Sequence, residues 1–383
     1  MKPLRVLHFG RFGNHLGGVE RHAHHLCQQL ASMGIDVTNL VASSDKHASE
    51  THCFKLYHQI QVPCWGVAFS TALAPTLPIK AWQLHRDHSF DLLHLHFPDP
   101  LTHLASRMLP PNIPRVISWH SDIVRQKKIL RYYHPFLLNE IRRADALIAA
   151  THAHFSSSHQ IPDDYPVEKR HVVPYGMSYT KFERRIEHEP MISKLHSIAQ
   201  GRPIVFALGR HVYYKGFNVL IDAIQKTNAY LILGGDGPLR QQLEQTAASL
   251  ALQERILFTG RIEDADLPAY FHACDVFCLP SVEQSEAFGL VQLEAMSCGK
   301  PVICTQLNNG VNEVNQHLVT GLAVPPNDHN ALADAINRLL TDLPLRTRLS
   351  RQAHEHALSS YSLNEMGKRC LAVYESVLRN KIS

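Results

Sequence analysis

The sequence predicts an α/β protein made of two parallel-sheet domains, and three observations support this fold class. Short runs of apolar or β-branched residues alternate with longer helix-like segments along all 383 residues. That alternation is typical of a parallel sheet covered by helices on both faces. It is interrupted at residues 172–178 and restarts at Pro203. With 45% hydrophobic residues, each half is long enough to bury its own core.

The first half begins with a strand-like run, RVLHFG, at residues 5–10. A glycine turn at Gly17 and Gly18 then leads into a helix pattern that ends at Gly34, a common helix terminator. The strand-like runs DVTNLVAS, DLLHLHF, RVISWHS and DALIAA follow, with helical stretches between them.

The second half repeats this organisation with IVFALGR, AYLILGGDG, RILFTGR, VFCLPS and PVICTQ, each followed by a candidate helix. We therefore expect two Rossmann-like domains, residues 1–182 and 183–360, facing a central cleft, followed by a terminal helix at 361–383. Open α/β sheets bind ligands at the carboxyl ends of their strands, so functional residues are expected there.

Composition excludes several classes of protein. The 38 Lys and Arg against 34 Asp and Glu give a net charge of +4, too small for a dedicated nucleic-acid binder. The first residues lack the apolar core of a secretory signal, and no run is long enough to span a membrane. Eight cysteines form no CxxC pair, so we expect reduced thiols in a cytoplasmic protein.

Charge is unevenly distributed, with 19 basic and 13 acidic residues up to position 182 but 19 and 21 after it. Residues 115–143 contain seven of the basic residues, interleaved with apolar ones such as Tyr132 and Phe136. This mixture suits a segment that lies on an anionic lipid surface. An ordinary solvated helix face would have the same composition.

The segment SVEQSEAFGLVQLEAMSCGKPVICT at 281–305 is the most informative. Glu286 lies in the loop after a predicted strand, and Glu294 lies within the following helix. Phe288, Gly289 and Leu290 occupy the turn where that helix begins, so free backbone N–H groups there could bind phosphate. The two carboxylates could accept hydrogen bonds from hydroxyl groups, although a capping carboxylate and a surface glutamate would have the same spacing.

Two further strand ends carry candidate residues. Arg210 follows IVFALG, and Lys215 with Gly216 precedes a helix pattern, which gives a guanidinium and an ammonium suited to a diphosphate. His120 follows RVISW, where a reactive or sugar-contacting histidine would lie, although most single histidines are packing residues.

Neither of two apparent metal motifs predicts a metal site. Asp264 and Asp266 form a DxD sequence, but either is well placed to cap a helix. Among the 27 histidines, His94 and His96 share one face of a strand without an evident third ligand. His22, His24 and His25 do not point together on a helix. We expect no metal and no cofactor.

Taken together, Glu286-AFGLVQL-Glu294, Arg210 with Lys215, the early glycine turn and His120 resemble family 4 of the retaining glycosyltransferases, which have the GT-B fold. The stretches HSDIVRQK, SEAFGLVQLEAMSCGKPVI and VNQHLVTGLAVPP are similar to members that build bacterial polysaccharides and lipid-linked glycans. The sequence departs from the family at Tyr175, where Asn is common, and at Ser178, where Asp is common.

The resemblance implies a role for each matching position. Arg210 and Lys215 would bind the donor diphosphate, helped by backbone N–H groups. Glu294 would bind the nucleotide ribose, Glu286 the donor sugar, and His120 that sugar near its reacting carbon. The catalytic set is thus His120, Arg210, Lys215 and Glu286, and the remaining binding residues are Gly17, Gly18, Phe288, Gly289, Leu290 and Glu294. The last helix would cross back onto the first domain.

The activity so implied is the metal-independent transfer of a hexose, with retention, from a GDP- or UDP-linked donor to an acceptor hydroxyl. The acceptor would be a lipid-linked or polysaccharide glycan, reached from the cytoplasm, with peripheral binding at the inner face of the plasma membrane. Two alternatives remain: an epimerase or phosphorylase-like enzyme of the same fold, or a non-catalytic nucleotide-sugar binding protein. An epimerase would differ in needing no acceptor.

Overall fold

The structure, a computed structural model, describes residues 3–13, 18–43, 50–54, 56–68, 71–123 and 127–382. The chain forms two units, Met1–Met177 with Leu363–Ser383, and Ser178–Ser362. The first division precedes the boundary at 182 expected from the sequence, because Phe182 packs edge to face on Phe271 of the second unit. The second division follows residue 361, since Tyr361 packs on Phe288.

The strands of the first unit are β1 (Arg5–Phe12), β2 (Asp36–Ala42), β3 (Glu50–Cys53), β4 (His58–Val62), β5 (Val67–Ala68), β6 (Thr71–Ala72), β7 (Leu92–Phe97), β8 (Arg115–Trp119), β9 (Ala146–Ala149) and β10 (Arg170–Val172). Its helices are α1 (Gly18–Ser32), α2 (Leu77–His88), α3 (Pro100–Arg107), α4 (Lys127–Arg143), α5 (His152–Ser156) and the terminal α14 (Leu363–Ile382).

The main sheet of the first unit has the order β10-β9-β8-β7-β1-β2-β4-β3, and only its edge strand β3 runs antiparallel to its neighbour. Strands β5 and β6 form a separate hairpin. The strand order reverses between β1 and β7, which are paired in parallel with Val6 opposite Leu92. Every residue of β7 is buried, as expected for a strand covered on both faces. Helices α1 and α14 pack together on one of those faces.

The strands of the second unit are β11 (Ile204–Leu208), β12 (Tyr230–Gly234), β13 (Ile256–Gly260), β14 (Val276–Leu279), β15 (Val302–Thr305) and β16 (Gly321–Val324). Its helices are α6 (Glu189–Ile198), α7 (Phe217–Gln225), α8 (Arg240–Ser249), α9 (Leu267–Ala273), α10 (Leu290–Ser297), α11 (Gly310–Val314), α12 (His329–Thr341) and α13 (Leu343–Ser360). Short 3₁₀ turns lie at Val167–Lys169, Thr180–Phe182, Ile186–His188, Tyr213–Lys215 and Gln253–Arg255.

The sheet of the second unit is entirely parallel, in the order β13-β12-β11-β14-β15-β16. Numbered from its first strand this is 3-2-1-4-5-6, the order of the doubly wound nucleotide-binding fold, with its reversal between β11 and β14. The α/β class and the parallel sheet predicted for each half are confirmed. The sequence did not predict β3, β4, the β5–β6 hairpin, β10 or β16.

The cysteines whose side chains are described are free thiols, and all of them except Cys298 are buried. Among the described helices, none combines the length and the apolar character needed to cross a membrane.

Candidate functional site

The candidate residues of the second unit lie where its strand order reverses. Arg210 follows β11, and Glu286 lies in the loop after β14, the strand that pairs with β11. In open α/β sheets, ligands bind at the carboxyl edge of the sheet beside such a reversal. The position is therefore the one expected for a ligand site.

The two loops at this reversal lie directly against each other. Val282 donates its backbone N–H to the carbonyl of Tyr214 at 2.8 Å. Gly216 links the 3₁₀ turn to α7 with φ +65°, and a Cβ there would lie 2.1 Å from the carbonyl oxygen of Pro280. Only glycine satisfies both the left-handed backbone and this close approach.

An ion pair joins these loops at their centre. Lys215 donates from Nζ to Oε2 of Glu286, and the two side chains are only 12% and 11% exposed. Ser281, which is fully buried, donates from Oγ to the same Oε2 at 3.0 Å. Both donors engage one oxygen, so as far as the described residues go, Oε1 of Glu286 is left to accept a bond from another group.

Ser281 was missed by the sequence analysis. Ser281 directly follows VFCLP and precedes Glu286 by five residues, which places it near the site. A single serine in a loop, however, does not indicate that its hydroxyl bonds to that carboxylate. A second contact holds the backbone of the same loop, because Asn309 Nδ2 donates to the carbonyl of Glu286 at 2.9 Å. The carboxylate is therefore fixed at both its side chain and its backbone.

Arg210 differs from Lys215 in being exposed. In the part of the chain that the structure describes, its guanidinium has no hydrogen-bond or ion-pair partner. An exposed guanidinium can form charge-assisted hydrogen bonds to an anion.

Gly289 begins α10 in the left-handed conformation, with φ +67°. A Cβ on Gly289 would lie 2.6 Å from Cδ2 of Leu279. Leu290, the first helical residue, is 43% exposed, whereas Gly289 before it is buried. Phe288 is buried, with its ring packed edge to face on Tyr361.

Glu294 lies in the second turn of α10 and is partly buried. Burial, with smaller contributions from nearby Tyr361 and Glu294, raises the pKa of Tyr179, so Tyr179 lies near Glu294. Tyr179 was not among the predicted residues. Its hydroxyl donates to the carbonyl of Tyr361 at 3.1 Å.

In the first unit, His120 follows β8 and is held by two aromatic neighbours. Its Nε2 lies 2.9 Å from Nδ1 of His96, and its Nδ1 lies 3.1 Å from the hydroxyl of Tyr175. Burial, with contributions from His22 and His154, keeps the pKa of His120 well below 6.5, so the ring is neutral. Tyr175, the departure from the family pattern, therefore supports His120 directly.

His120 belongs to a group of five histidines that we call the histidine cluster: His8, His22, His94, His96 and His120. His8 on β1 lies opposite His94 on β7, and their ring centroids are 4.4 Å apart. His94 and His96 do share one face of their strand, as the sequence predicted, with rings stacked at 4.9 Å. That three other histidines meet them there could not be predicted from local sequence, because they come from β1, α1 and the segment after β8.

The histidine cluster is held by hydroxyl groups. Nδ1 of His94 lies 2.5 Å from the hydroxyl of Tyr374 on α14, and its Nε2 lies 2.7 Å from Oγ of Ser118. Nε2 of His8 lies 3.0 Å from the same tyrosine hydroxyl. Within the described residues, no three His, Cys, Asp or Glu side chains form a group that could hold a metal ion.

Of the two glycines in the first turn, the structure describes only Gly18. Gly18 is the first residue of α1, and a Cβ there would meet no atom within 4 Å. Gly17 lies outside the described residues.

At the DxD sequence, Asp266 directly precedes α9 but makes no side-chain capping bond, so the expected capping interaction is absent there.

The basic segment at 115–143 is only partly a surface. Arg115, expected among its surface charges, is 2% exposed, donates to the carbonyls of Ser106 and Ile113, and pairs with buried Glu140. This expectation was wrong because every residue of β8, including Arg115, is buried. Tyr132 and Phe136 on α4, in contrast, are 78% and 62% exposed.

Comparison with known proteins agrees with this fold. Residues 16–179 match the family described as Glycosyltransferase Family 4, and residues 190–356 match Glycosyl transferases group 1. D-rhamnosyltransferase WbpZ of Pseudomonas aeruginosa is 32% identical over 350 residues, covering 88% of this chain and 86% of that protein. O-antigen chain mannosyltransferase C of Escherichia coli is 27% identical, covering 99% of this chain and all of that protein.

Solved structures agree in fold. A glycosyltransferase from Rickettsia africae has a TM-score of 0.76 at 20% identity, covering 99% of this chain and 100% of that one. Anabaena Alr3699/HepE in complex with UDP-glucose has a TM-score of 0.70 at 22% identity, covering 97% and 100%. The chain is a glycosyltransferase with a GT-B-type fold and belongs to glycosyltransferase family 4.

Proposed function

We propose that the protein transfers a hexose, with retention at the anomeric carbon, from a GDP- or UDP-linked donor to a hydroxyl of a lipid-linked or polysaccharide glycan. The observation that carries this proposal is the Lys215–Glu286 pair at the strand reversal, with Arg210 exposed beside it. This arrangement offers cations for a diphosphate and, for a sugar hydroxyl, one carboxylate oxygen that no described residue occupies.

In the reaction, the bond between the anomeric carbon and the diphosphate oxygen breaks as the acceptor oxygen bonds to that carbon on the same face. The acceptor proton passes to the leaving diphosphate. Arg210, Lys215 and the N–H groups at the start of α10 stabilise the charge that develops on the diphosphate. Glu286 orients the donor through a sugar hydroxyl, and Glu294 binds the ribose.

From the first unit, His120 is assigned to the donor sugar and the start of α1 at Gly18 to the diphosphate. Because His120 is neutral, it supplies a hydrogen bond and no full charge. Its two nitrogens already have protein partners, so a sugar hydroxyl would share one of them or displace Tyr175 or His96.

The donor is tested with a panel of GDP-mannose, GDP-rhamnose and UDP-glucose, since relatives are named as mannosyl- and rhamnosyltransferases and a structural neighbour was solved with UDP-glucose. We expect one of them to support transfer to a glycan acceptor, with a retained anomeric configuration by NMR. Activity should be unchanged in excess EDTA, because the cations of the site replace a metal. Loss of activity in EDTA that a divalent ion restores would contradict the metal-independent mechanism, and an inverted product would contradict retention.

We further propose that α4 docks the protein on the anionic inner face of the plasma membrane. Tyr132 and Phe136 lie one turn apart on α4 and are exposed next to Arg131. Aromatic rings at the headgroup level and arginines above them are typical of interfacial helices.

Co-sedimentation with vesicles tests this docking. We expect the protein to sediment with phosphatidylglycerol vesicles and not with phosphatidylcholine vesicles. The double variant Tyr132→Ser, Phe136→Ser should lose most of that binding. Ile186→Ser, at a residue 90% exposed in the second unit, is the control and should retain it. Equal binding of the double variant would show that α4 is not the docking surface.

A further inference from the structure

A cavity of about 500 Å³ lies beside the candidate site in the second unit. It is lined by residues that follow β11, β14 and β16 and by the first turns of α7 and α8. Its volume is within the range of pockets that bind small ligands. Apart from the backbone hydrogen bond of Val282 to Tyr214, its described lining residues take no part in the candidate site.

An aromatic ring forms one wall of this cavity. Tyr213 is 64% exposed, yet its position is fixed, because its hydroxyl donates to Oε2 of Glu283 at 2.9 Å. Its ring also packs edge to face on Tyr214, with centroids 5.9 Å apart. An exposed ring held by two contacts is a preorganised platform for an apolar ligand face.

The polar groups of the cavity are neutral amides and one carboxylate. Asn218, Gln242 and Asn327 come from three different segments, and within the described residues their amides have no hydrogen-bond partner. Each amide both donates and accepts, and Glu283 accepts. A ligand with hydroxyl groups pointing in several directions would satisfy them.

Charge excludes other ligands. The described residues that line the cavity include no Lys, Arg or His, and Glu283 would repel an anion. A phosphate, a nucleotide or an acidic sugar is therefore disfavoured. A pyranose ring, with an apolar C–H face and a rim of hydroxyls, matches both the aromatic wall and the amides.

We infer that this cavity is a second binding subsite, which holds one or two neutral hexose units of a glycan chain. The inference rests on the proposed function in that the glycan is the chain that the reaction extends. Tyr213 and Glu283 belong to the same two loops as Lys215 and Glu286. A glycan in the cavity would therefore stiffen the loops that form the donor site.

The test is isothermal titration calorimetry, in which α-mannotetraose is added to the purified full chain with no donor present. We expect the wild type to bind saturably. Binding should be about tenfold weaker in Tyr213→Ala and in Gln242→Ala, because each variant loses one stacking or hydrogen-bonding group. Gln241→Ala, the exposed neighbour on α8 that does not line the cavity, is the matched control and should bind as the wild type. Thermal melts of all variants confirm folding.

Two outcomes would overturn the inference. One is absent or unsaturable binding in the wild type. The other is loss of oligosaccharide binding in Arg210→Ala, or competition by UMP, either of which would place the oligosaccharide in the donor site. Because no turnover is measured, failure of the proposed transfer reaction is detected separately, as inactivity with every nucleotide sugar.

Discussion

Replacing Lys215 with alanine is expected to lower kcat/KM for the nucleotide-sugar donor by about 100- to 1,000-fold, the usual effect of removing one charge-stabilising group. The ammonium would no longer stabilise the leaving diphosphate. In addition, Glu286 would lose its cation while remaining only 11% exposed, so its carboxylate would be left poorly compensated. Arg210→Ala should lower kcat/KM by about 100-fold, the lower end of that range, because Glu286 keeps its ion pair with Lys215 in this variant.

Two variants make this measurement specific. Ser281→Ala removes only one neutral hydrogen bond to Glu286, so a loss of about fivefold is expected. Lys226→Ala removes an exposed ammonium that bonds to Asn330, outside the site, and should leave kinetics unchanged. Near-normal donor hydrolysis and transfer in both Lys215→Ala and Arg210→Ala would overturn the assignment of the diphosphate site.

Acid is expected to destabilise the first unit steeply below pH 6.5, because the histidine cluster is neutral when folded. Burial is the main cause that lowers the pKa of His8, to about 3, and that of His94 well below 6.5. In the unfolded chain these histidines titrate near 6.5. Between pH 6.5 and about 3 the unfolded state therefore binds more protons, and stability falls as the pH falls. At pH 5 the loss is about 2 kcal/mol for each fully buried histidine.

This loss is measured by urea unfolding between pH 7.5 and 5. All three tryptophans, Trp65, Trp82 and Trp119, belong to the first unit, so their fluorescence reports its unfolding. His94→Gln should reduce the pH slope by about one proton, because Gln can bond to Tyr374 and Ser118 without titrating. His159→Gln, at an exposed position, should leave the slope unchanged. Equal slopes in both variants would contradict the role of the histidine cluster.

Much of the candidate site could be predicted from the sequence because its residues follow strands. Arg210, Lys215 and Glu286 each lie at the carboxyl end of a run that alternation identifies as a strand, and Gly289 marks the start of a helix. In a parallel sheet these ends lie on one edge, so their proximity follows from the fold class alone.

The contacts between these residues could not be predicted. Lys215 and Glu286 are 71 positions apart, and nothing local indicates that both would share one carboxylate oxygen with Ser281. For Arg115, the sequence-based expectation was wrong. It was expected at the surface as part of a basic segment, but it is buried against Glu140.

By itself, the sequence determined the α/β class, the repetition of a parallel sheet in each half, and the identities of the charged groups at strand ends. These features depend on local periodicity and on residue type. Only the tertiary structure decided which groups pair and which titrate. His8, His94 and His120 come from separate strands, and Tyr374 reaches His8 from 366 positions away. Their burial and hydrogen bonds depend on strand register and helix packing, which are long-range properties of the folded chain.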